Sequence, residues 1–146
     1  MKRLAIVSIA LVLVVFLAGC ARSDFNQNVT LQNLQQAMEV RSLQLCAQED
    51  FTWDVVPGFV EGHRYDVDQT CAAYDPNFPA ARVYLVKFDS VEARDAALRN
   101  FETINQRRVG AGFARAIGPW ILVVDGNQQE LASALVREVL SDLGVK

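Results

Sequence analysis

Histidine is almost missing from this chain of 146 residues: His63 is the only one. A centre built from several histidines is therefore excluded. Cysteine is scarce as well, limited to Cys20, Cys46 and Cys71. No Cys-x-x-Cys spacing occurs, so two cysteines and one histidine make a poor zinc set, and no metal or cofactor is expected. Basic charge is in deficit, with 14 Lys and Arg against 17 Asp and Glu. A chain of that balance lacks the electrostatic footprint of a general nucleic-acid binder. Internal repeats and low-complexity tracts are absent. So are the Gly-x-Ser-x-Gly elbow of many hydrolases and the Lys-Ser/Thr ending of a phosphate loop.

Long hydrophobic runs are also missing, apart from one at the start. Leu4 to Leu17 is apolar except for Ser8, and Lys2 and Arg3 precede it. A charged beginning, a short apolar middle and small residues after it form the layout of a secretory signal. A spanning helix needs about 20 apolar residues, so this run is short for one. The charged end stays on the cytoplasmic side as the apolar run enters the bilayer. The run closes on Leu17-Ala18-Gly19-Cys20. This tetrapeptide resembles the lipobox of bacterial lipoproteins. The resemblance implies that residues 1–19 are cut away and that Cys20 is lipidated and becomes the N-terminus. A thiol suits that role because its thiolate is accessible near neutral pH. It also implies that the membrane is a partner through the lipid anchor. Ala21 stands where an Asp tends to signal inner-membrane retention, so an outer membrane is favoured if the cell has two. The expected organisation is a signal over 1–19, a lipidated tether over 20–28 and a single exported domain over 29–146.

The mature chain, Cys20 to Lys146, has 127 residues. That is one domain's worth, long enough to bury a core. Without Lys2 and Arg3, 12 of the 14 basic residues remain against 17 acidic ones, a net charge of −5. With Cys20 lipidated, Cys46 and Cys71 are left as an even pair in an exported domain, which reads as one disulfide.

Periodicity predicts a helix from Leu31 to about Ala47, with Thr30 as N-cap and Leu34, Met38 and Leu45 on one face. Phe51–Val56 and Phe59–Val67 read as strands around a Pro57-Gly58 turn. The stretch from Asp68 to Ala80 is irregular. Val83–Phe88 is a strand, apolar on both faces. Asp89 or Ser90 caps a helix reaching about Gln106, with Ala93, Ala97, Phe101 and Ile104 on one face. Phe113–Ile117 and Trp120–Asp125 form a hairpin about Gly118-Pro119. Asn127 and Glu130 open a last helix that Gly144 ends. The fold class is α+β. From Val83 onward the order is β-α-β-β-α, which resembles a ferredoxin-like arrangement lacking its last strand. The 51–67 segment supplies the missing edge, and an antiparallel or mixed sheet with helices on one face, a two-layer sandwich, is expected.

Several residues carry possible chemistry. On a strand, Glu61 and His63 share a face, so the carboxylate can orient the ring. Asp66-Val67-Asp68-Gln69-Thr70 begins like a calcium loop, but Cys71 and Asn77 stand where a Gly and a Glu are required. Gly110-Ala111-Gly112 precedes a strand, not a helix, and so reads as a plain loop. Charge is uneven along the chain: residues 48–75 are acidic and residues 94–115 are rich in Arg. Arg107 and Arg108 are the candidate contacts for anionic headgroups or an acidic partner. Core packing is the expected role of Trp53 and Trp120. No catalytic set emerges. The expected function is a non-enzymatic binding domain in the cell envelope, with an envelope protein as its partner. A His63 hydrolase and a structural envelope component are the alternatives.

Overall fold

The computed structural model of the protein describes residues 25, 27–105, 113–125 and 129–144. Three helices and five strands follow one another as α1 (Leu31–Val40), β1 (Gln44–Phe51), β2 (Phe59–Asp68), β3 (Ala81–Phe88), α2 (Val91–Asn105), β4 (Phe113–Ile117), β5 (Trp120–Asp125) and α3 (Gln129–Asp142). The fold class is α+β. The strands form one antiparallel sheet in the order β1-β2-β3-β5-β4. β3 and β4 thus run parallel with β5 between them, the split arrangement expected from β-α-β-β-α. β2 lies beside β3, where the sequence anticipates the 51–67 segment, and β1 forms the edge beyond it.

Local chemistry sets most boundaries. Thr30 caps α1, and its side chain and that of Asn33 satisfy each other's backbone N–H groups. Ser90 Oγ accepts from the Ala93 N–H at 3.3 Å at the start of α2. Gly118 and Gly144 take positive φ angles of 56° and 69°, turning the β4–β5 hairpin and ending α3.

Helix α1 departs from the sequence reading. It stops at Val40, and the residues expected to continue it form β1. Ser42 adopts φ 55°, a left-handed conformation that ends a helix. Beyond it, Leu45, Cys46 and Ala47 lie in a strand irregularity against β2, and Cys46 is bonded to Cys71. Pairing with β2 satisfies the backbone that the helix reading left to local hydrogen bonds. The spacing of Leu45 and Cys46 suits both periods, so tertiary pairing decides. The strand expected over 51–56 correspondingly ends at Phe51.

The layering differs as well. Val83 and Leu85 point to the face covered by α1 and α3, together with Leu122, Val124, Leu135 and Val139. Val86 and Phe88 point the other way with Ile121 and Val123, against Ala93, Ala97, Leu98 and Phe101 of α2. Helices therefore cover both faces, giving three layers where one covered face was expected. The cause is visible in β3 and β5: strands apolar on both sides need cover on both sides. The sheet is only half covered on the α2 side, because α2 lies over β3, β5 and β4 and leaves the outer strands β1 and β2 open there.

Candidate functional site

Alternation along β2 sends Glu61, His63, Tyr65 and Val67 to the α1/α3 face. Tyr65 and Val67 are buried in the core, whereas Glu61 and His63 sit past the helices near the end of the sheet. There they join a row of polar side chains drawn from four elements. His63 Nδ1 lies 2.7 Å from Asp50 Oδ1 on β1, its cross-strand partner. His63 Nε2 lies 3.9 Å from Glu61 Oε2. Lys87 on β3 donates to Glu61 Oε1 at 2.9 Å and stands 5.3 Å above the Trp120 ring. Trp120, buried from β5, donates its indole N–H to Asn28 at 2.8 Å. Burial pushes the Tyr65 phenol up from its ordinary value, and the nearby Asp50 and Glu61 carboxylates add to that.

Both ring nitrogens of His63 thus face carboxylates, and one of those carboxylates is already taken by Lys87. Among the described residues, no Ser, Thr or Cys side chain hydrogen-bonds to the ring. The row is a half-exposed ion-pair network, a type that contributes little stability per pair. The sequence placed Glu61 beside His63 correctly. It missed Asp50, because cross-strand register is not written in local spacing.

The second cluster lies at the opposite end of β2, on the α2 side. Asp66 is the one buried charged residue described, 1% exposed. Tyr74 donates its hydroxyl to Asp66 Oδ2 at 2.7 Å. The guanidinium groups of Arg64 and Arg82 approach Asp66 Oδ1 at 3.4 and 3.5 Å. Arg82 also donates to the Pro76 carbonyl at 2.7 Å, and Arg64 pairs with Glu49 at 2.8 Å. Its hydrogen bond to Asp66 raises the Tyr74 phenol above the ordinary value, because removing the proton would set two anions together. These contacts hold the irregular 69–80 loop against the sheet. They also commit Asp66 Oδ2 to Tyr74 and hold Oδ1 near the two guanidinium groups at ion-pair distance without a hydrogen bond, and Asp68 Oδ1 accepts from the Gln69 N–H. The residues that begin like a calcium loop are thereby spent on structure. Cys46 and Cys71 are disulfide-bonded with Cα atoms 5.0 Å apart, tying β1 to the same loop.

A third feature occupies the open part of the α2 side. Phe51, Trp53, Phe59 and Tyr84 gather with ring centroids 5.1 to 6.3 Å apart. Phe51 and Tyr84, with Trp53, Glu49 and Arg64, line a shallow cleft of about 170 Å³. Gly62 makes room for this cluster, since a Cβ there would stand 2.7 Å from the Phe51 ring. Burial raises the Tyr84 phenol as well. Trp53 is 41% exposed, so its expected role in the core does not hold, whereas Trp120 does fill the core. The reason is position: Trp53 lies in the β1–β2 turn, past the end of the sheet.

Cys20, Arg107 and Arg108 lie outside the described residues, as do Gly110-Ala111-Gly112 and Asn127. Among the described residues, no helix is long and apolar enough to cross a membrane. No protein-family model, curated protein or solved structure matches this chain.

Proposed function

We propose that this chain is the precursor of a lipid-anchored cell-envelope protein whose exported domain is a binding module. The observation that carries the reading is Leu17-Ala18-Gly19-Cys20 at the end of a single short apolar run. The Cys46–Cys71 disulfide supports it, since such bonds persist in oxidising compartments outside the cytoplasm. The domain's polar clusters are engaged in ion pairs, caps and loop bracing, which suits a scaffold presenting surfaces. An envelope protein is the partner this reading calls for. Membrane attachment follows from acyl chains at Cys20, each buried CH₂ contributing about 0.8 kcal/mol. Intact-mass measurement on protein purified from its own host tests the anchor. The expected mass is that of Cys20–Lys146 plus acyl groups; an unprocessed chain beginning at Met1 would refute it. Crosslinked pulldown from detergent-solubilised envelopes tests the binding role, and failure to enrich any specific envelope protein would refute that part.

A second reading, an envelope hydrolase, draws on the contact between His63 and Asp50, which resembles the base half of a catalytic triad. Replacing His63 with Ala separates the two. The binding reading expects His63→Ala to restore a deletion strain fully, whereas the hydrolase reading expects no rescue.

A further inference from the structure

The described chain begins at one particular end of the domain. The Gln27 carbonyl occupies the space that a Cβ at Gly118 would need, so the backbone there lies directly on the β4–β5 turn. Phe25 sits 5.9 Å from the Arg94 guanidinium, and Asn28 accepts from Trp120. Six residues lie between Cys20 and Gln27, and the seven Cα steps from one to the other reach about 25 Å at most when fully extended. A bilayer holding Cys20 therefore lies within that distance of the β4–β5 turn.

The β1–β2 turn, residues 52–58, stands at the same end. Consecutive N–H groups at the close of β3 link the two turns. Phe88 donates to the Pro119 carbonyl and Asp89 to the Gly58 carbonyl, each at 2.9 Å. Two strand spacings, about 10 Å, separate them, well inside the reach of the tether. Gly58 also abuts Ala93, whose neighbour Arg94 bonds to the Gly118 carbonyl.

This turn exposes apolar surface that nothing among the described residues covers. Val55 is 92% exposed, Trp53 41%, and Val60 beside them 50%. Trp53 packs against its neighbours, 5.1 Å from the Phe51 ring and 6.3 Å from Phe59. The Val56 and Phe59 N–H groups close the turn onto the Trp53 and Val56 carbonyls at 2.9 and 3.2 Å. A fixed indole with one face open costs little ordering entropy on binding, and tryptophan favours the level of lipid headgroups. Charge selects the type of surface. Asp54 lies in the turn, Asp50 and Asp89 flank it, and the nearby Lys87 and Arg94 are engaged with Glu61 and Asp95. Such a tip is repelled by an anionic leaflet and suits a neutral one.

We propose that the Trp53–Gly58 turn is a docking tip that seats Trp53 and Val55 in the headgroup layer of a zwitterionic phospholipid surface. The domain then stands in one orientation on its tether, with the disulfide-braced 69–80 loop at the far end. The proposal rests on Cys20 being the anchored residue, so its test supplies the anchor independently. The chain from Cys20 to Lys146 carries one thiol outside the disulfide, at Cys20. That thiol is coupled to maleimide-headed lipid in phosphatidylcholine vesicles containing brominated acyl chains, and tryptophan emission is recorded. The expected result is a blue shift and quenching of wild-type emission, both lost in Trp53→Phe. Val55→Asp, at a fully solvated position, is expected to lose the quenching while keeping the wild-type melting curve. Emission that neither shifts nor quenches in the anchored wild-type protein would overturn the proposal. So would quenching seen only with anionic lipid, or a dimer that shields Trp53 by pairing two copies of the chain. An unlipidated Cys20 in the native host would refute the anchor reading alone and leave the vesicle result standing on its own.

Discussion

Removing the charge of Asp66 tests whether the β2 end cluster holds the domain together. Asp66→Asn keeps the shape and one acceptor but deletes the anion that two guanidinium groups approach at 3.4 and 3.5 Å. Breaking a buried ion pair by removing one partner costs about 3–5 kcal/mol, since the other charge is left uncompensated. Here the cost falls at the low end. Arg64 keeps Glu49 and Arg82 keeps the Pro76 carbonyl, and both arginines are about a third exposed. A loss of about 3 kcal/mol follows. For a domain of this size about 1 kcal/mol lowers Tm by about 4 °C, so the melting temperature should fall by about 12 °C. Urea unfolding followed by circular dichroism gives the free energy, and the thermal scan gives the midpoint. Tyr74→Phe removes one charge-assisted hydrogen bond to the same carboxylate and should lower stability by less than Asp66→Asn does. In the double variant the two losses should fall short of their sum, because both act on one carboxylate. An Asp66→Asn protein within about 0.5 kcal/mol of wild type would refute the argument, since that is the ordinary scatter of surface substitutions.

The disulfide closes a loop of 25 residues between Cys46 and Cys71. Replacing both cysteines with Ser should lower stability by about 3.5 kcal/mol on the loop-entropy model, read from urea midpoints under non-reducing conditions. All three tyrosines have phenols raised above the ordinary value, two chiefly by burial and Tyr74 chiefly by its bond to Asp66. A raised phenol contributes stability that is complete below the unfolded pKa near 10 and is lost as pH climbs through the folded value. Ultraviolet titration should therefore show no tyrosine ionising at or below its midpoint in urea, with unfolding following at higher pH. Gly118→Ala forces a side chain into positive φ and into the Gln27 backbone. It should destabilise by about 1–3 kcal/mol and raise hydrogen exchange at residues 27–29 before the rest of the domain. Leu122→Ala, at a fully buried position between the helices and the sheet, should cost about 2–5 kcal/mol in the same urea assay.

Reading the sequence alone located six of the eight helices and strands to within a few residues, and the start of α1, because each carried its own period and its own punctuation. Thr30 capped a helix, Gly118-Pro119 turned a hairpin and Gly144 ended α3. It failed at residues 41–51. There the Leu45 and Cys46 spacing fits a helix and a strand equally, and the choice was made by β2 and by the bond to Cys71. The candidate site was legible in part. Glu61 and His63 share a face by alternation within one strand. Asp50, Lys87 and Trp120 reach the same row only through pairing between strands, which local spacing does not encode.

Local order was thus a property of the chain as written, and so were the features from which an envelope location is proposed. The apolar run with its lipobox-like ending, the cysteine pair and the β-α-β-β-α order all rest on neighbours along the backbone. What required the assembled fold was every relation across it: helices on both faces, the carboxylate of Asp66 shared between Tyr74 and two arginines, and Trp53 left outside the core. The physical reason is that strand register and layer packing are settled by surface buried between distant segments. The same geometry set the exposed β1–β2 turn at the end of the domain where Gln27 lies on the β4–β5 turn.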